Sequence, residues 1–172
     1  MEKIKAIDNF VDDATCDHMV AIYDRLFESV NENYDGRRLI RNTKDPEIVG
    51  FLQTYIGKIN KMLDKNYYIR DLLMSIYPPG AYVDEHVDFE EERFKDNLGV
   101  LFYFNDDFEG GELEFKYKPY KIKPKAGMLV SVPVTPDFTH RVSKITSGNW
   151  RHSLYGASWG EVKPQISTPE VC

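Results

Sequence analysis

Beyond Asn66 the sequence breaks into short apolar and aromatic runs cut by turn residues, and this rhythm limits the fold more than any other feature. The runs span residues 67–70, 72–77, 99–104, 112–115, 121–123, 127–132 and 153–159 and draw mostly on Val, Ile, Leu, Phe and Tyr. Such side chains suit a pleated, half-buried surface. Between the runs stand Pro78-Pro79-Gly80, Asn105-Asp106-Asp107, Gly110-Gly111, Lys118-Pro119, Pro124 and Ser147-Gly148-Asn149, which are chain-reversing residues. Many short strands at this spacing predict a β-sandwich or a jelly-roll barrel. There is no internal repeat and no low-complexity segment.

The first third reads differently. A short strand is expected within residues 3–11, followed by a helix capped at Asp12 or Asp13 and running to about Val30. Its buried stripe is Cys16, Met19, Val20, Tyr23, Leu26, Phe27 and Val30, which recur at helical spacing. Residues 31–45 are polar and are expected to form a solvated loop, although Arg37, Arg38, Arg41 and Lys44 could meet an acidic substrate. Pro46 suits the first turn of a second helix, with Ile48, Val49, Leu52, Tyr55, Ile56, Ile59, Met62 and Leu63 as its stripe. The expected class is therefore mainly β with N-terminal helices (α+β), one domain over residues 1–172. Within it, 1–66 supply a strand and supporting helices, 67–160 the β core, and 161–172 an extended tail.

A formal net charge of −6 argues against whole-surface binding of nucleic acid or anionic membrane. Two cysteines, Cys16 and Cys172, fit neither a disulfide framework nor a CxxC zinc pattern. No signal peptide or membrane-spanning run is seen, so a cytoplasmic protein is expected.

The chain has four histidines, His18, His86, His140 and His152. In Asp84-Glu85-His86-Val87-Asp88, strand alternation would put His86 and Asp88 on one face, where an imidazole and a carboxylate could hold one metal ion. Asp84 shares that parity, so spacing alone does not choose between the two aspartates. His140 lies between two strand-like runs and is the best-placed third ligand. Two His and one carboxylate on a rigid β scaffold, with open positions, form the ligand set of a non-haem Fe(II) oxygenase. Arg151 follows His140 by one strand, a turn and the start of the next strand. It shares a face with Ser153, and a fork of donors beside a hydroxyl can grip a carboxylate. His152 faces the other way and His18 reads as a surface residue. A calcium loop starting at Asn105 is excluded because Lys116 stands where the bidentate Glu is needed. No HExxH helix, nucleophile elbow or phosphate loop is present.

Several motifs occur in order: Tyr77-x-x-Gly80-x-Tyr82-x-x-x-His86-x-Asp88, the stretch from Leu101 to Phe115 with Gly110-Gly111, then Pro124-Lys125-Ala126-Gly127. His140-x-Val142 and Thr146-Ser147-Gly148-x-x-Arg151 follow. Together they resemble the Fe(II)/2-oxoglutarate-dependent dioxygenases, and within them the prolyl 4-hydroxylase-like branch. Ile7-Asp8-Asn9-Phe10-Val11 before a helix is similar to that branch's lead-in. The resemblance implies a double-stranded β-helix, a cupin-like jelly roll, with the helices packed on one sheet. It implies Fe(II) on His86, Asp88 and His140, which selects Asp88 over Asp84. Arg151 would pair with the distal carboxylate of 2-oxoglutarate, with Tyr77, and more weakly Ser153, as hydroxyl donors to it. O2 would be the oxidant, with ascorbate as an optional addition. The reaction implied is hydroxylation of an unactivated C–H bond, of a prolyl residue in a peptide first, with succinate and CO2 released. A free amino acid or other small molecule is the alternative substrate, and a silent β-helix binding module the alternative function. Arg151 stands where animal collagen-type enzymes typically use lysine, which keeps the anion logic but loosens substrate transfer. Residues 31–45 and 89–97 would flank the site mouth as lids.

Overall fold

The computed structural model describes residues 4–159 except 29, 31, 32, 35, 65, 67 and 89–97. The expected lid at 89–97 and the expected tail at 161–172 lie outside the described residues. Among the described residues thirteen strands and two α-helices run in this order: β1 (Lys5–Ile7), α1 (Asp13–Phe27), β2 (Asn33–Tyr34), β3 (Arg37–Arg41), α2 (Pro46–Leu63), β4 (Tyr68–Tyr77), β5 (Val83–His86), β6 (Leu98–Tyr103). Then come β7 (Phe108–Glu109), β8 (Leu113–Phe115), β9 (Lys121–Ile122), β10 (Leu129–Pro133), β11 (His140–Val142), β12 (Ser147–Gly148) and β13 (Arg151–Trp159). No described helix is long and apolar enough to cross a membrane.

The chain winds between two antiparallel sheets. The larger has the order β1-β10-β6-β13-β4-β3-β2, the smaller β5-β11-β8-β9, and β12-β7 forms a separate ribbon. From β4 onward the chain passes back and forth between the two sheets, β4, β6, β10 and β13 lying in the larger and β5, the pair β8–β9, and β11 in the smaller, which is the double-stranded β-helix. Alternation along the large sheet sorts the core into two layers. Leu72, Met74, Ile76, Val100, Phe102 and Leu154 face the helices, whereas Tyr77, Leu101, Tyr103 and Tyr155 face the barrel interior with Phe115, Val130 and Val142.

The helices form where the sequence can start and stop them. Asp12 caps α1 by accepting a hydrogen bond from the Thr15 amide at 2.9 Å, and its carboxyl is held below the usual range by that bond. Asp45 accepts from the amides of Glu47 and Ile48, Pro46 fills the first turn, and Asp64 ends α2 in the left-handed region at φ 52°. The buried stripes are Cys16, Met19, Ile22, Tyr23 and Phe27 on α1, and Ile48, Phe51, Tyr55 and Ile59 on α2. Phe51 meets Phe102 of the sheet edge-on at 5.1 Å between centroids. Burying an aromatic of this size in such a seam is worth about 3 kcal/mol or more.

The loop expected over 31–45 is in part a strand. Among the described residues β2 pairs with β3, and β3 adds a strand to the large sheet by pairing with β4 through Arg38↔Ile76, Leu39↔Ser75, Ile40↔Met74 and Arg41↔Leu73. Tyr34 pairs with Arg37, and Gly36, just before β3, stands at φ 78°. A side chain with a Cβ resists that conformation. The polar character of the strand misleads because two of its three arginines are covered: Arg37 is turned inward, and Arg38 lies over the Trp150 ring at 4.7 Å, while Arg41 is exposed. Two smaller differences also follow from pairing. The N-terminal strand is limited to Lys5–Ile7 by its partner β10, and residues 68–77, expected as two runs, are one strand because β13 pairs along both.

Candidate metal and keto-acid site

Two adjacent strands of the small sheet face His86 against His140, which are direct partners in register. Their rings stand 4.5 Å apart. Strand β5 ends at His86, so Asp88 reaches the site from the bend that follows rather than by strand alternation. Its Oδ1 lies 3.6 Å from Nε2 of each histidine. Donor atoms bound at about 2.1 Å in neighbouring positions of one ion stand about 3 Å apart, so a small inward movement closes the set. His86, Asp88 and His140 are the group among the described residues whose ligand atoms, all within 4.8 Å of one another, could hold a metal ion.

Asp84 is outside this group for a local reason. The β5–β11 register shifts between His140↔His86 and Val142↔Val83, so β5 carries one extra residue, a bulge. A bulge breaks the two-residue parity, and both Asp84 and Glu85 are exposed. The Asp84 carbonyl is nevertheless used: His86 Nδ1 lies 2.8 Å from it. His140 Nδ1 lies 2.9 Å from the Phe138 carbonyl. A carbonyl can only accept, so each Nδ1 carries the proton, and in its neutral form each ring has the Nε2 lone pair available to an ion beside Asp88.

The two histidines titrate apart. Burial holds the His140 pKa below its ordinary value. At His86 burial also pushes down, but the hydrogen bond to Asp88 and the Asp84 carbonyl win, and the pKa is raised. Gly99 of β6 completes the wall: a Cβ there would stand 2.7 Å from Asp88 Oδ2. The missing side chain is the space the carboxylate occupies.

Deeper in the barrel Arg151 is 1 % exposed. It pairs in register with Tyr77, and its guanidinium carbon sits 4.4 Å from the Tyr77 ring centre and 5.0 Å from that of Tyr103. Its Nε and Nη1, and the Tyr103 hydroxyl, are buried with no hydrogen-bond partner among the described residues. Burying a cation with unused donors is costly, and a carboxylate placed between these atoms removes the cost. Burial pushes the Tyr103 hydroxyl pKa up, with the adjacent guanidinium opposing, so it stays protonated and able to donate. The donor set therefore fits a keto acid's distal carboxylate. Ser153 lies on the same face, but its hydroxyl is 2.9 Å from that of Ser75.

The structure thus brings His86, Asp88 and His140 together and lines Tyr77 and Arg151 side by side. His152 faces the other way, against the Tyr23 ring at 5.5 Å, and His18 pairs with Glu47 at 2.9 Å on the surface. Sequence reasoning missed Tyr103, because Leu101-Phe102-Tyr103-Phe104 is apolar or aromatic on both faces. It missed the inward turn of Arg37, for which Asp35-Gly36 was the available signal.

A family model described as the 2OG-Fe(II) oxygenase superfamily matches residues 72–159, just over half of the chain. No curated protein sequence matches. Among solved structures, the chain is similar to the viral collagen prolyl hydroxylase of Paramecium bursaria Chlorella virus-1 in its 2OG complex. The TM-score is 0.71 at 19 % identity, covering 91 % of this chain and 96 % of that one. A Pseudomonas putida prolyl-4-hydroxylase gives 0.73 at 19 %, covering 92 % and 93 %. A Trichoplax adhaerens prolyl hydroxylase, in complex with a hypoxia inducible factor oxygen degradation domain peptide fragment, gives 0.70 at 16 %, covering 89 % and 82 %. At these identities the likeness establishes the shared fold.

Proposed function

Since the chain belongs to the 2OG-Fe(II) oxygenase superfamily, and is an oxygenase using Fe(II), 2-oxoglutarate and O2, we propose that it hydroxylates a prolyl residue of a peptide or protein. Succinate and CO2 are the co-products of this reading. His86, Asp88 and His140 hold the iron, and Arg151 with Tyr103 and Tyr77 holds the keto acid. The iron, when bound, supplies the oxidising chemistry.

The remaining work belongs to the chain. The Asp84 and Phe138 carbonyls fix both imidazoles with Nε2 facing inward. Arg151 Nε and Nη1 and the Tyr103 hydroxyl donate to the distal carboxylate and set the depth at which the keto acid seats. The apolar interior around Phe115, Val130 and Val142 excludes water from the reacting centre. The observation that carries this reading is the buried Arg151–Tyr103 donor set without an acceptor among the described residues, in the same barrel as the His86–Asp88–His140 cluster. The prolyl assignment is supported by the structural relatives, which are prolyl hydroxylases.

The test is turnover. With Fe(II), 2-oxoglutarate, O2 and a panel of proline-containing peptides, one peptide should gain the mass of one oxygen in step with succinate. Ascorbate is included and then omitted to read its contribution. Succinate formation with no mass gain in any peptide would reject the prolyl substrate while keeping the oxygenase. Absence of succinate under all conditions would favour a silent binding module.

A further inference from the structure

Resting on the prolyl reading of the site, we infer that Tyr120 holds a second proline of the substrate peptide, three residues from the one hydroxylated, so that the protein selects segments in which proline recurs at polyproline II spacing. The smaller sheet carries a row of rings that begins at the metal ligands. His86 pairs with His140, and His140 with Phe115. The β8–β9 ladder pairs Leu113 with Ile122, and two residues nearer its turn Phe115 meets Tyr120. Ring centres step along the same row: His86 to His140 4.5 Å, His140 to Phe115 5.9 Å, Phe115 to Tyr120 6.0 Å.

Tyr120 has the strand parity of the buried Ile122, which puts it on the barrel side of the sheet. Phe115 is buried, whereas Tyr120 is 49 % exposed. The row therefore leads from the metal ligands to an exposed ring at the rim. The turn that carries this ring is fastened to both ligand strands. The Lys116 amide donates to the Thr139 carbonyl at 2.9 Å, next to His140, and Lys116 Nζ meets Glu85, next to His86, at 2.7 Å. Lys118 Nζ lies 4.9 Å from the Phe138 ring, and the Phe138 carbonyl faces His140 Nδ1.

A lone exposed tyrosine is ordinary on a protein surface. One held at a fixed place in line with the metal ligands extends the site itself, so its occupant is the part of the substrate beyond the reacting residue. Distance and chemistry then specify that part. Two inter-strand spacings put Tyr120 about 10 Å from His140 along the row. A polyproline II chain advances about 3.1 Å per residue and returns to the same side every three residues, a step of about 9 Å. The ring of a proline at that interval lands on Tyr120, and aromatic faces are what proline-rich segments dock against.

The test uses protein loaded anaerobically with Fe(II) and 2-oxoglutarate. The probes are L-proline and peptides of one length, otherwise alanine and serine, with a central proline. A second proline stands three residues before it, three residues after it, or nowhere. Calorimetry reads binding to wild type, Tyr120→Ala and Tyr120→Phe, and admitting O2 then reads the mass gain at the central proline. Wild type should bind one of the two-proline peptides about 3- to 10-fold more tightly than the single-proline peptide. Tyr120→Ala should erase that difference and Tyr120→Phe keep it, with iron and 2-oxoglutarate affinity unchanged in both. Equal binding of one- and two-proline peptides, with oxygen still gained, would overturn the inference and keep the prolyl reading. No peptide bound and no oxygen gained would overturn both. A difference that survives in Tyr120→Ala or vanishes in Tyr120→Phe would overturn the ring contact. So would L-proline binding as tightly as the two-proline peptides, because nothing beyond the reacting residue would then be held.

Discussion

Replacing Gly99 by alanine should weaken metal binding without weakening the fold. Gly99 is not among the residues with positive φ, so its backbone accepts a side chain without strain. In the unfolded state alanine restricts the chain more than glycine does, which favours folding by about 0.4–1 kcal/mol. The site tells the opposite story. The new Cβ would lie 2.7 Å from Asp88 Oδ2 and 3.0 Å from Tyr155 Cε2, where ordinary contact begins at 3.4 Å. The carboxylate must therefore retreat by 3.4 − 2.7 = 0.7 Å. Both oxygens belong to one planar carboxylate, so the displacement passes to Oδ1, which faces both histidines at 3.6 Å. Displacing a ligand-orienting contact costs about 10- to 100-fold in metal affinity. Anaerobic Fe(II) titration measures that loss, and thermal melts with and without metal separate it from stability. Gly50→Ala on α2, where a Cβ meets nothing within 4 Å, is the control and should leave metal affinity unchanged. A Gly99→Ala protein that binds iron as tightly as wild type, or whose metal-free form melts well below it, would refute the reasoning.

Tyr103→Phe should reduce 2-oxoglutarate affinity by about tenfold, the worth of one buried hydrogen bond to a charged group, and leave the metal-free melting temperature unchanged or higher, because a buried hydroxyl without a hydrogen-bond partner among the described residues is removed. Arg151→Met should cost more, about 100-fold or greater in the same titration, with iron binding intact. Gly36→Val should destabilise the hairpin by at least about 1 kcal/mol, since Gly36 sits at φ 78°, and hydrogen exchange should rise first at β3. Asp107 gives a pH test: its carboxyl is held below the usual range, chiefly by the Asn149 amide against burial and with help from Asn105. A folded pKa below the unfolded one means that the stabilisation is full above about pH 4 and is lost as pH falls through the folded value. The melting-temperature gap between wild type and Asp107→Ala should therefore be constant at neutral pH and narrow in acid.

The helices were legible because their starts are written in single residues, Asp12 and Asp45-Pro46, and their stripes in plain periodicity. The jelly-roll character was legible from turn chemistry, and His86 with His140 from their places in strand-like runs. What escaped depends on pairing partners. The bulge that removes Asp84 from the site exists only in the register between β5 and β11. The continuity of β4 is imposed by β13 across a polar Asp71. The hairpin at 33–41 was hidden by its arginines, whose charges look solvated although one guanidinium is buried and another lies on a tryptophan; Asp35-Gly36 was the clue of the right kind. Tyr103 could not be separated from Phe102 and Phe104 until the sheet assigned each aromatic a face.

The central claim is that one iron is held by His86, Asp88 and His140 with 2-oxoglutarate anchored beside it at Arg151. Anaerobic addition of Fe(II) and 2-oxoglutarate, followed by visible absorption and iron counting, tests it most directly. Wild type should bind one iron per chain and develop a metal-to-ligand charge-transfer band that His140→Ala lacks. An unchanged band in His140→Ala, or no band in wild type at saturating iron and keto acid, would contradict it.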